Sequence, residues 1–471
     1  MRRPVKPYRV GGIGPVAPLY PRRTAGGFFH AALLLTVLAF APVPADARAA
    51  ERLAGPDIAS GLSVQFTDNF LKQESWRDRL DLISALGATV VRIDLNWPWV
   101  EAETGRYDWA LYDQYAAELV KRRLRPLFIL NRPNSPYGKP YDAVVDGKRE
   151  RGIGPPTATQ DVAAFARFAA AAAERYRHLD PIWEIWNEPD QNGFWPPTPS
   201  PADYVTLARE TCLAVKQRVP NAVVVGPAAA QMPTIWRPKK PLFDALLADT
   251  TLLTCLDAIS LHTHRFRQKP ETASRDYAVL RDAYLSKWPR AVPQKPLIDT
   301  EWGDSVHTSG LTEDTQARWV ARMYLVNLME QVRLTNWYCL VDVGNDDAEM
   351  EHRFGLVRLD GTRRPAYQAY QVLAQQLGTM KLEQVVARFN QRTAEGATAL
   401  VFCDAARRCV LAVWKTEDSP GPHTISVPGW RRTGPDIDYL GRKVASPMSS
   451  DSGLEVEAQT AVRYIPVKPQ P

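Results

Sequence analysis

The chain has 471 residues, of which 45% are hydrophobic and 23% charged, a composition that is ordinary for a soluble globular protein and excludes bulk disorder. Its net charge of +6 resides in the first fifty residues, which hold seven Lys and Arg but only one acidic residue, so the remainder is neutral. A basic surface for nucleic acid is therefore not indicated, and no nucleic-acid partner is expected.

The N-terminal segment has the order of a secretory signal peptide. A basic stretch ends at Arg22-Arg23, an apolar run spans Gly27 to Ala41, and Ala45-Asp46-Ala47 has the small-x-small pattern of a cleavage site. The apolar run is shorter than the roughly 20 residues that span a bilayer. We therefore predict a signal peptide within residues 1–49 and export to the periplasm or the extracellular space. An uncleaved inner-membrane anchor is the alternative, and a membrane is a partner only in that case.

From Leu62 onwards, short β-rich runs alternate with longer amphipathic stretches. The eight β-rich runs are Leu62–Phe66, Thr89–Leu95, Pro126–Leu130, Ile182–Trp186, Ala222–Gly226, Ala258–His262, Leu297–Glu301 and Thr335–Val341. The amphipathic stretches, typical of helices, are Trp76–Leu86, Trp109–Arg123, Val162–Arg177, Tyr204–Arg218, Arg275–Trp288, Ala317–Gln331 and Pro365–Leu377. Because this alternation implies parallel pairing through crossovers, it predicts an α/β fold, a closed (β/α)8 TIM barrel within residues 55–378. A doubly wound open sheet is the alternative, but no glycine-rich phosphate loop follows the first strand.

The chain changes character beyond Met380. Short β-type runs are separated there by Gly, Pro, Ser and Asp; they are Ala399–Phe402, Val410–Trp414, Thr424–Val427 and Ala461–Ile465. This pattern predicts a small antiparallel, β-sandwich-like accessory domain over residues 379–471. One long insertion, Asn131–Gln160, follows the third strand of the predicted barrel, and in that fold it lies on the carboxyl face.

The five cysteines give a limited signal. Cys403 and Cys409 flank a short turn between two β-type runs, where a disulfide would close a hairpin in an oxidising compartment, and both the bonded and the free state are open. Cys212, Cys255 and Cys339 lie in apolar segments and are expected to be buried small side chains. No CxxC motif or Cys/His cluster indicates a bound metal.

Two glutamates stand at the ends of predicted strands. Glu188, in Trp186-Asn187-Glu188-Pro189, follows the fourth strand, and Glu301, in Thr300-Glu301-Trp302-Gly303, ends the seventh. In a barrel these strands face each other across the mouth, so both carboxyl groups should point into it. Glycoside hydrolysis needs such a pair, because one carboxyl group protonates the leaving oxygen while the other attacks the anomeric carbon or activates water. Two carboxyl groups suffice for this chemistry, so no cofactor or metal is expected.

These two motifs resemble the clan A glycoside hydrolases, retaining enzymes whose two glutamates lie on strands four and seven of a barrel. The resemblance implies that Glu188 is the general acid/base and that Glu301 is the nucleophile. It also implies that Asn187 contacts the sugar 2-hydroxyl and that Arg92, on strand two, supports the nucleophile.

The segment after the sixth strand departs from the clan pattern. The clan usually has His-x-Tyr there, with the tyrosine hydroxyl bonded to the nucleophile, whereas this chain has His262-Thr263-His264. His262 matches the pattern, and His264 stands where the tyrosine is expected. An imidazole can also donate to Glu301, but its charge changes with pH near neutrality.

Four tryptophans near strand ends are predicted to contact substrate: Trp97, Trp195, Trp302 and Trp337. The resemblance implies that Trp337, on strand eight, forms the floor under the sugar at the scissile bond. Sugar sites combine apolar rings with polar partners for the hydroxyls. Taken singly, each ring is also explained by packing in the core.

Further segments resemble glycoside hydrolase family 39 and, more narrowly, the exopolysaccharide-locus glycosidases of the Psl type. They are Asn192-Gly193-Phe194-Trp195 and Phe354-Gly355-Leu356, the latter leading to Arg364-Pro365-Ala366-Tyr367. The resemblance implies an exported, endo-acting hydrolase of a polysaccharide, with an exopolysaccharide as the first choice. An exo-acting, β-xylosidase-like enzyme is the alternative. A non-catalytic polymer-binding or export protein is disfavoured because both glutamates are present.

Overall fold

The computed structural model describes residues 52–230, 241–445 and 454–470. The predicted signal peptide lies outside these residues. Among the helices of the described segments, none is both long enough and apolar enough to cross a membrane.

Eight parallel strands close into a barrel. The strands up to the end of the barrel are β1 (Leu62–Gln65), β2 (Val90–Asn96), β3 (Arg125–Asn131), β4 (Pro140–Val145), β5 (Lys148–Ile153), β6 (Ile182–Ile185), β7 (Val223–Ala229), β8 (Ala258–His262), β9 (Leu297–Trp302) and β10 (Thr335–Trp337). All of them except β4 and β5 belong to the barrel, in which each strand pairs with the next in sequence and β10 pairs with β1. The predicted barrel is therefore confirmed, and each of its eight strands overlaps a predicted run.

Helices connect the strands and cover the barrel. They are α1 (Trp76–Leu86), α2 (Trp97–Val100), α3 (Ala110–Arg122), α4 (Thr159–Tyr176), α5 (Pro201–Arg218), α6 (Pro241–Ala248), α7 (Thr250–Cys255), α8 (Ala273–Ala283), α9 (Glu313–Met329) and α10 (Pro365–Leu377). Short 3-10 turns occur at Ala59–Gly61, Asp68–Lys72, Arg177–Leu179, Pro270–Thr272, Leu285–Lys287 and Met350–Arg353.

Local signals fix several helix ends. Helix α5 begins after Ser200, whose Oγ accepts from the backbone N–H of Asp203 at 3.4 Å, and α9 begins after Thr312, whose Oγ1 accepts from the N–H of Thr315 at 3.1 Å. Such side chains satisfy amide donors that have no partner within the helix. Helix α1 ends at Gly87, which has φ 89° and therefore the left-handed conformation that glycine adopts without steric cost.

The predicted insertion contains a hairpin. Strands β4 and β5 pair antiparallel within the stretch that follows β3. Most of the side chains on β4 and β5 are exposed or half-buried, and Asp142 on β4 accepts from both Arg149 and Arg151 on β5. At the tip, Asn192 donates to Asp146 at 2.8 Å. The hairpin is thus joined to the loop that follows β6.

Antiparallel strands follow the barrel, as predicted. They are β11 (Lys381–Ala387), β12 (Ala397–Cys403), β13 (Cys409–Lys415), β14 (His423–Val427), β15 (Trp430–Arg432), β16 (Asp436–Ile437), β17 (Lys443–Val444), β18 (Leu454–Ala458) and β19 (Arg463–Pro469). One sheet has the order β11-β12-β13-β19-β16-β17, with β15 beside β19, and β14 pairs separately with β18. Residues of both sheets, among them Val401, Leu411, Val427 and Val456, form a common core.

A buried ion pair joins the barrel to the C-terminal sheet. Arg322 on α9 is fully buried and donates to Glu271 Oε1 and Oε2 at 2.9 and 2.6 Å. Its Nη1 donates to Glu417, just after β13, at 2.5 Å. Trp414 Nε1 donates to Glu271 at 2.8 Å. A buried charge requires such complete pairing, so these contacts fix how the sheet lies on the barrel.

Two disulfides are present. Cys212 on α5 is buried, as predicted, but it is bonded to Cys255 at the end of α7, which is half-buried, and this pairing was not predicted. The two residues are 43 positions apart and meet only because α5 packs against α7, which no local pattern reveals. Cys403 and Cys409 lie directly opposite each other on β12 and β13 and are also bonded. Cys339 is a buried free thiol, as predicted.

Removing the longer cross-link should destabilise the protein. We expect Cys212→Ala combined with Cys255→Ala to lower the free energy of unfolding by about 2–4 kcal/mol, because a cross-link over such a loop restricts the unfolded chain. Urea unfolding of the oxidised protein measures this change. The bond between Cys403 and Cys409 closes a loop of only 6 positions. The matched variant, Cys403→Ala combined with Cys409→Ala, should therefore lower the free energy of unfolding by less. An equal loss in both variants would contradict the explanation by loop length.

Candidate active site

Glu188 and Glu301 lie at the carboxyl end of the barrel. Glu301 belongs to β9, and Glu188 follows β6 in a segment where Trp186 and Glu188 have φ of 67° and 42°. Left-handed backbone at non-glycine residues costs about 1–3 kcal/mol and persists mainly at functional sites. Both carboxyl groups line one cavity of about 530 Å³, a volume usual for small-ligand sites.

The two carboxyl groups are close together. One oxygen of Glu188, one oxygen of Glu301 and a ring nitrogen of His262 all lie within 4.8 Å of one another. Retaining glycosidases have their carboxyl groups about 5–5.5 Å apart, whereas inverting enzymes need about 6.5–9.5 Å to admit a water molecule. The spacing therefore suits direct attack by one carboxylate.

Arg92 on β2 organises the floor of the cavity. This fully buried guanidinium donates from Nη1 to Glu301 Oε2 at 2.7 Å and to Gln65 Oε1 at 3.0 Å. Its Nη2 donates to Asn187 Oδ1 at 2.8 Å, and its Nε donates to Glu184 Oε2 at 2.9 Å. Because Asn187 accepts through Oδ1, its Nδ2 remains available as a donor. The guanidinium thus lies between the carboxyl groups of Glu184 and Glu301 and donates to both.

Hydrogen bonds around His262 determine its tautomer. Its Nε2 lies 3.2 Å from Arg92 Nη2, which can only donate. Nε2 is therefore the acceptor, and Nδ1 carries the proton and donates to Glu188 Oε1 at 2.6 Å. Burial lowers the pKa of His262 to about 4, so the ring is neutral near pH 7. This arrangement occupies one oxygen of Glu188 and leaves Oε2 for the acid proton.

The environments of the two glutamates separate their pKa values. Burial, followed by the charge of Glu301, raises the pKa of Glu188 well above its ordinary value. Burial alone would also raise the pKa of Glu301, but the interactions with His262, His264 and Arg92 outweigh burial and lower that pKa. Since His262 is neutral near pH 7, the cations that act there are His264 and Arg92. One carboxyl group is thus protonated and the other ionised, which is the division that acid and nucleophile require.

His264 lies among aromatic rings and contacts the ionised glutamate. Its Nε2 is 3.2 Å from Glu301 Oε1, and its Nδ1 is 3.2 Å from the carbonyl oxygen of Gly303. Ring centroids of Phe266 and Phe354 lie 5.7 Å from the imidazole, and that of Tyr338 lies 6.1 Å away. Acceptors therefore lie within reach of both ring nitrogens, and the backbone nitrogen of Gly303 also lies 3.2 Å from Nδ1.

The charge of His264 follows from these contacts. Burial would lower its pKa, but the hydrogen bond and charge of Glu301 outweigh burial and raise the pKa from 6.5 to about 9. A protonated His264 is therefore a second cation, beside Arg92, that faces Glu301 at neutral pH. The sequence predicted that the charge of His264 changes near neutral pH. The carboxylate of Glu301 moves this change to higher pH.

This pair should make stability depend on pH. Since the folded-state pKa of His264 is raised, its contribution is complete below about pH 6.5 and is lost as the pH rises through about 9. It amounts to about 3 kcal/mol. We expect the Tm of the wild type to fall towards that of His264→Gln between pH 6.5 and 9.5 in calorimetric scans. Parallel Tm curves for the two proteins across this interval would contradict the assignment.

The four predicted tryptophans are not on the cavity wall. Trp97, Trp195, Trp302 and Trp337 are at most 2% exposed. Trp97 stacks on Tyr137 with centroids 4.9 Å apart, and Trp195 packs between other rings in the core. A fully enclosed ring cannot stack on a sugar, so the predicted substrate contact does not fit this placement. Packing accounts for these side chains instead.

Sequence reasoning missed several cavity residues. Asp68, Asp94 and Arg132 line it from the ends of the first three barrel strands, and Tyr338 lines it directly after Trp337. Glu184, which accepts from Arg92, could have been found because it shares the inward face of β6 with Ile182 and alternates with Trp183 and Ile185. Asp68, Arg132 and Tyr338 lie beyond strand ends, where no periodicity indicates direction, whereas Asp94 lies within β2, two residues after Arg92.

The cluster of Glu188, His262 and Glu301 contains residue types that bind metals. Here Arg92 donates to Glu301 and also faces Nε2 of His262, so a guanidinium already supplies the positive charge. We therefore describe the cluster as a hydrogen-bonded acid–base site.

Comparisons with known proteins agree with this geometry. Residues 177–393, which include both glutamates, match the model of glycosyl hydrolases family 39. A family 39 glycoside hydrolase from the gut symbiont Bacteroides cellulosilyticus WH2 has a similar structure, with TM-score 0.70 and 20% identity over 87% of this chain and 81% of that chain. A search of curated protein sequences finds no match to the chain.

Two further solved structures share the fold. The GH39 enzyme from Xanthomonas axonopodis pv. citri has TM-score 0.61 and 17% identity over 88% of this chain and 96% of that chain. A monomeric beta-xylosidase from Caulobacter crescentus CB15 has TM-score 0.61 and 17% identity over 87% of this chain and 96% of that chain. With the family match across both glutamates, the protein is a glycoside hydrolase similar to family 39 of clan A.

Proposed function

We propose that this glycosidase hydrolyses β-linked polysaccharide by double displacement with retention of configuration. The observation that carries the proposal is the pair Glu188 and Glu301, whose oxygens lie within 4.8 Å in environments that shift their pKa values in opposite directions. An inverting mechanism needs a wider gap.

The first step forms a glycosyl-enzyme ester. Ionised Glu301 attacks the anomeric carbon, the bond to the leaving oxygen breaks, and Glu188 gives that oxygen its proton. Arg92 and His264 hold Glu301 in place and keep it ionised. The free Nδ2 of Asn187 is oriented to donate to the sugar 2-hydroxyl, the role that the clan resemblance implies.

The second step hydrolyses the ester. Glu188, now ionised, removes a proton from water, which attacks the anomeric carbon while Glu301 departs as a carboxylate. His262 donates to Glu188 Oε1 in both steps and so orients the carboxyl group. The protonation state of Glu188 on entry is therefore restored at the end of the cycle.

We further propose an exported, endo-acting enzyme whose substrate is a bacterial exopolysaccharide. The signal-peptide pattern of the sequence and the two disulfides, which form in oxidising compartments, support export. The Psl-type sequence features support the choice of substrate. An exo-acting β-xylosidase is the second candidate, favoured by the shared fold with the beta-xylosidase of Caulobacter crescentus CB15.

Digestion of a polysaccharide panel tests the proposal, with products sized by mass spectrometry and Glu301→Gln as the control. Internal cleavage predicts a series of oligosaccharides released only by the wild type. Release of xylose alone from xylo-oligosaccharides would favour the exo-acting candidate. Equal product from wild type and control would contradict a glycosidase that depends on Glu301.

A further inference from the structure

The two halves of the cavity wall differ in polarity. Beyond the ends of β1, β2 and β3 the lining side chains are polar, including Asp68, Asn69 and Arg132. Beyond β6, β7 and β8 the described lining includes Phe194, Ala230 and Phe266, and Val343 and Met350 continue it after β10. Polar side chains also line this second half, namely Asn187, Glu188, Gln191, His264 and Glu351.

Backbone contacts hold the apolar half beside Glu188. Gln191 N donates to the carbonyl oxygen of Glu188 at 3.0 Å, and Phe194 follows in the same turn, where its carbonyl oxygen accepts from Trp186 Nε1 at 2.9 Å. Ala230 N donates to Asp190 Oδ1 at 3.0 Å. Phe194 and Ala230 are therefore fixed to the segment that carries the acid.

Phe266 is held in a strained conformation. Its φ is 45°, a value that bulky side chains rarely adopt, and Arg267 after it has φ 75°. Such strain occurs mainly at ligand clamps and active sites. The Phe266 ring is half-buried, packs against His264 with centroids 5.7 Å apart and lines the cavity. The backbone conformation of Phe266 therefore costs free energy that packing against His264 alone does not explain.

We propose that the leaving-group side of the cavity, formed by Phe194, Ala230 and Phe266, selects a leaving group with an apolar surface. The inference rests on the proposed function, because the leaving oxygen must lie beside Glu188 to receive its proton. A sugar bearing an acetyl group or a deoxy methyl group presents such a surface, as does an alkyl aglycone. The hydroxyl-rich part of the substrate then faces the polar half.

The ester formed with Glu301 allows a direct test. An alcohol that occupies the leaving-group side attacks the anomeric carbon in place of water, Glu188 takes its proton, and Glu301 departs as a carboxylate. Methanol and 1-hexanol have similar acidity, so their products differ through binding of the alkyl chain. The ratio of the two products is independent of the overall rate.

The experiment uses the full chain, the 4-nitrophenyl β-glycoside that is cleaved fastest in a panel, and the two alcohols at equal concentration. We expect the wild type to form hexyl glycoside at least about tenfold faster than methyl glycoside, since each buried methylene contributes to binding. Phe266→Asn suits a positive φ and should reduce this ratio severalfold. Phe266→Leu keeps an apolar side chain and should largely preserve it.

Three results would decide against the inference or its basis. Hydrolysis with retention but a product ratio near one overturns the apolar subsite and leaves the proposed function standing. A high ratio that is unchanged in both Phe266→Asn and Phe194→Asn overturns its assignment to this wall. No 4-nitrophenol release that depends on Glu301 overturns the proposed function, and the inference with it.

Discussion

Glu301→Gln is expected to lower kcat/KM by about 10⁴-fold or more on every substrate, whatever its leaving group. The amide of Gln has no negative charge with which to attack the anomeric carbon, so no glycosyl-enzyme ester forms. Rates measured with a polysaccharide and with a 2,4-dinitrophenyl glycoside test this, because the second substrate needs no acid. Both should fall together.

The loss should not come from unfolding. In Glu301→Gln the guanidinium of Arg92 retains its contacts with Glu184 and Gln65. Circular dichroism and the unfolding midpoint check that the fold is kept. Glu103→Gln is a matched control, because Glu103 is exposed and forms an ion pair with exposed Arg106; it should keep wild-type activity. Residual activity of Glu301→Gln above about one per cent on the activated substrate would argue against a nucleophilic Glu301.

Glu188→Ala should affect substrates according to their leaving groups. With a sugar as leaving group, loss of the acid proton should lower kcat/KM by about 10²–10⁴-fold. With 2,4-dinitrophenolate, which departs without a proton, kcat/KM should fall by less than about tenfold. The second step still lacks its base, so the ester should accumulate and be visible by mass spectrometry of the intact protein.

The pH profile gives a second measure of the same role. Because burial and the charge of Glu301 raise the pKa of Glu188, the wild type should lose kcat/KM on the basic side as Glu188 ionises. With the activated substrate, Glu188→Ala should lack this limb. Only the fall in kcat/KM that accompanies deprotonation of His264 near pH 9 should remain. A basic limb that is the same in both proteins would show that another group titrates.

Much of the barrel could be predicted because its signals are local. The limits of Trp76–Leu86 and Pro365–Leu377 agree with α1 and α10 at both ends, since Gly87 and Pro365 mark helix boundaries with a physical cause. The eight β-rich runs were found because strands buried on both faces are continuously apolar. The hairpin of β4 and β5 was missed because its side chains are largely exposed and carry no such signal.

The candidate site also has features that local sequence predicts and features that depend on tertiary packing. The position of Glu188 and Glu301 at the mouth of the barrel could be predicted, because the carboxyl ends of barrel strands meet at one face for any loop sequence. The substrate contact predicted for Trp97 and Trp337 does not fit their enclosure in the core, since sequence does not determine which side of a ring is covered. The bond between Cys212 and Cys255 depends on the packing of two helices, which is a tertiary property.

The most direct test of the central claim is the configuration of the first product, followed by proton NMR during hydrolysis of a β-glycoside. Attack by Glu301 followed by attack of water predicts that the β-anomer appears first and then mutarotates. First appearance of the α-anomer would mean a single displacement by water, and would contradict an account built on two carboxyl groups within 4.8 Å.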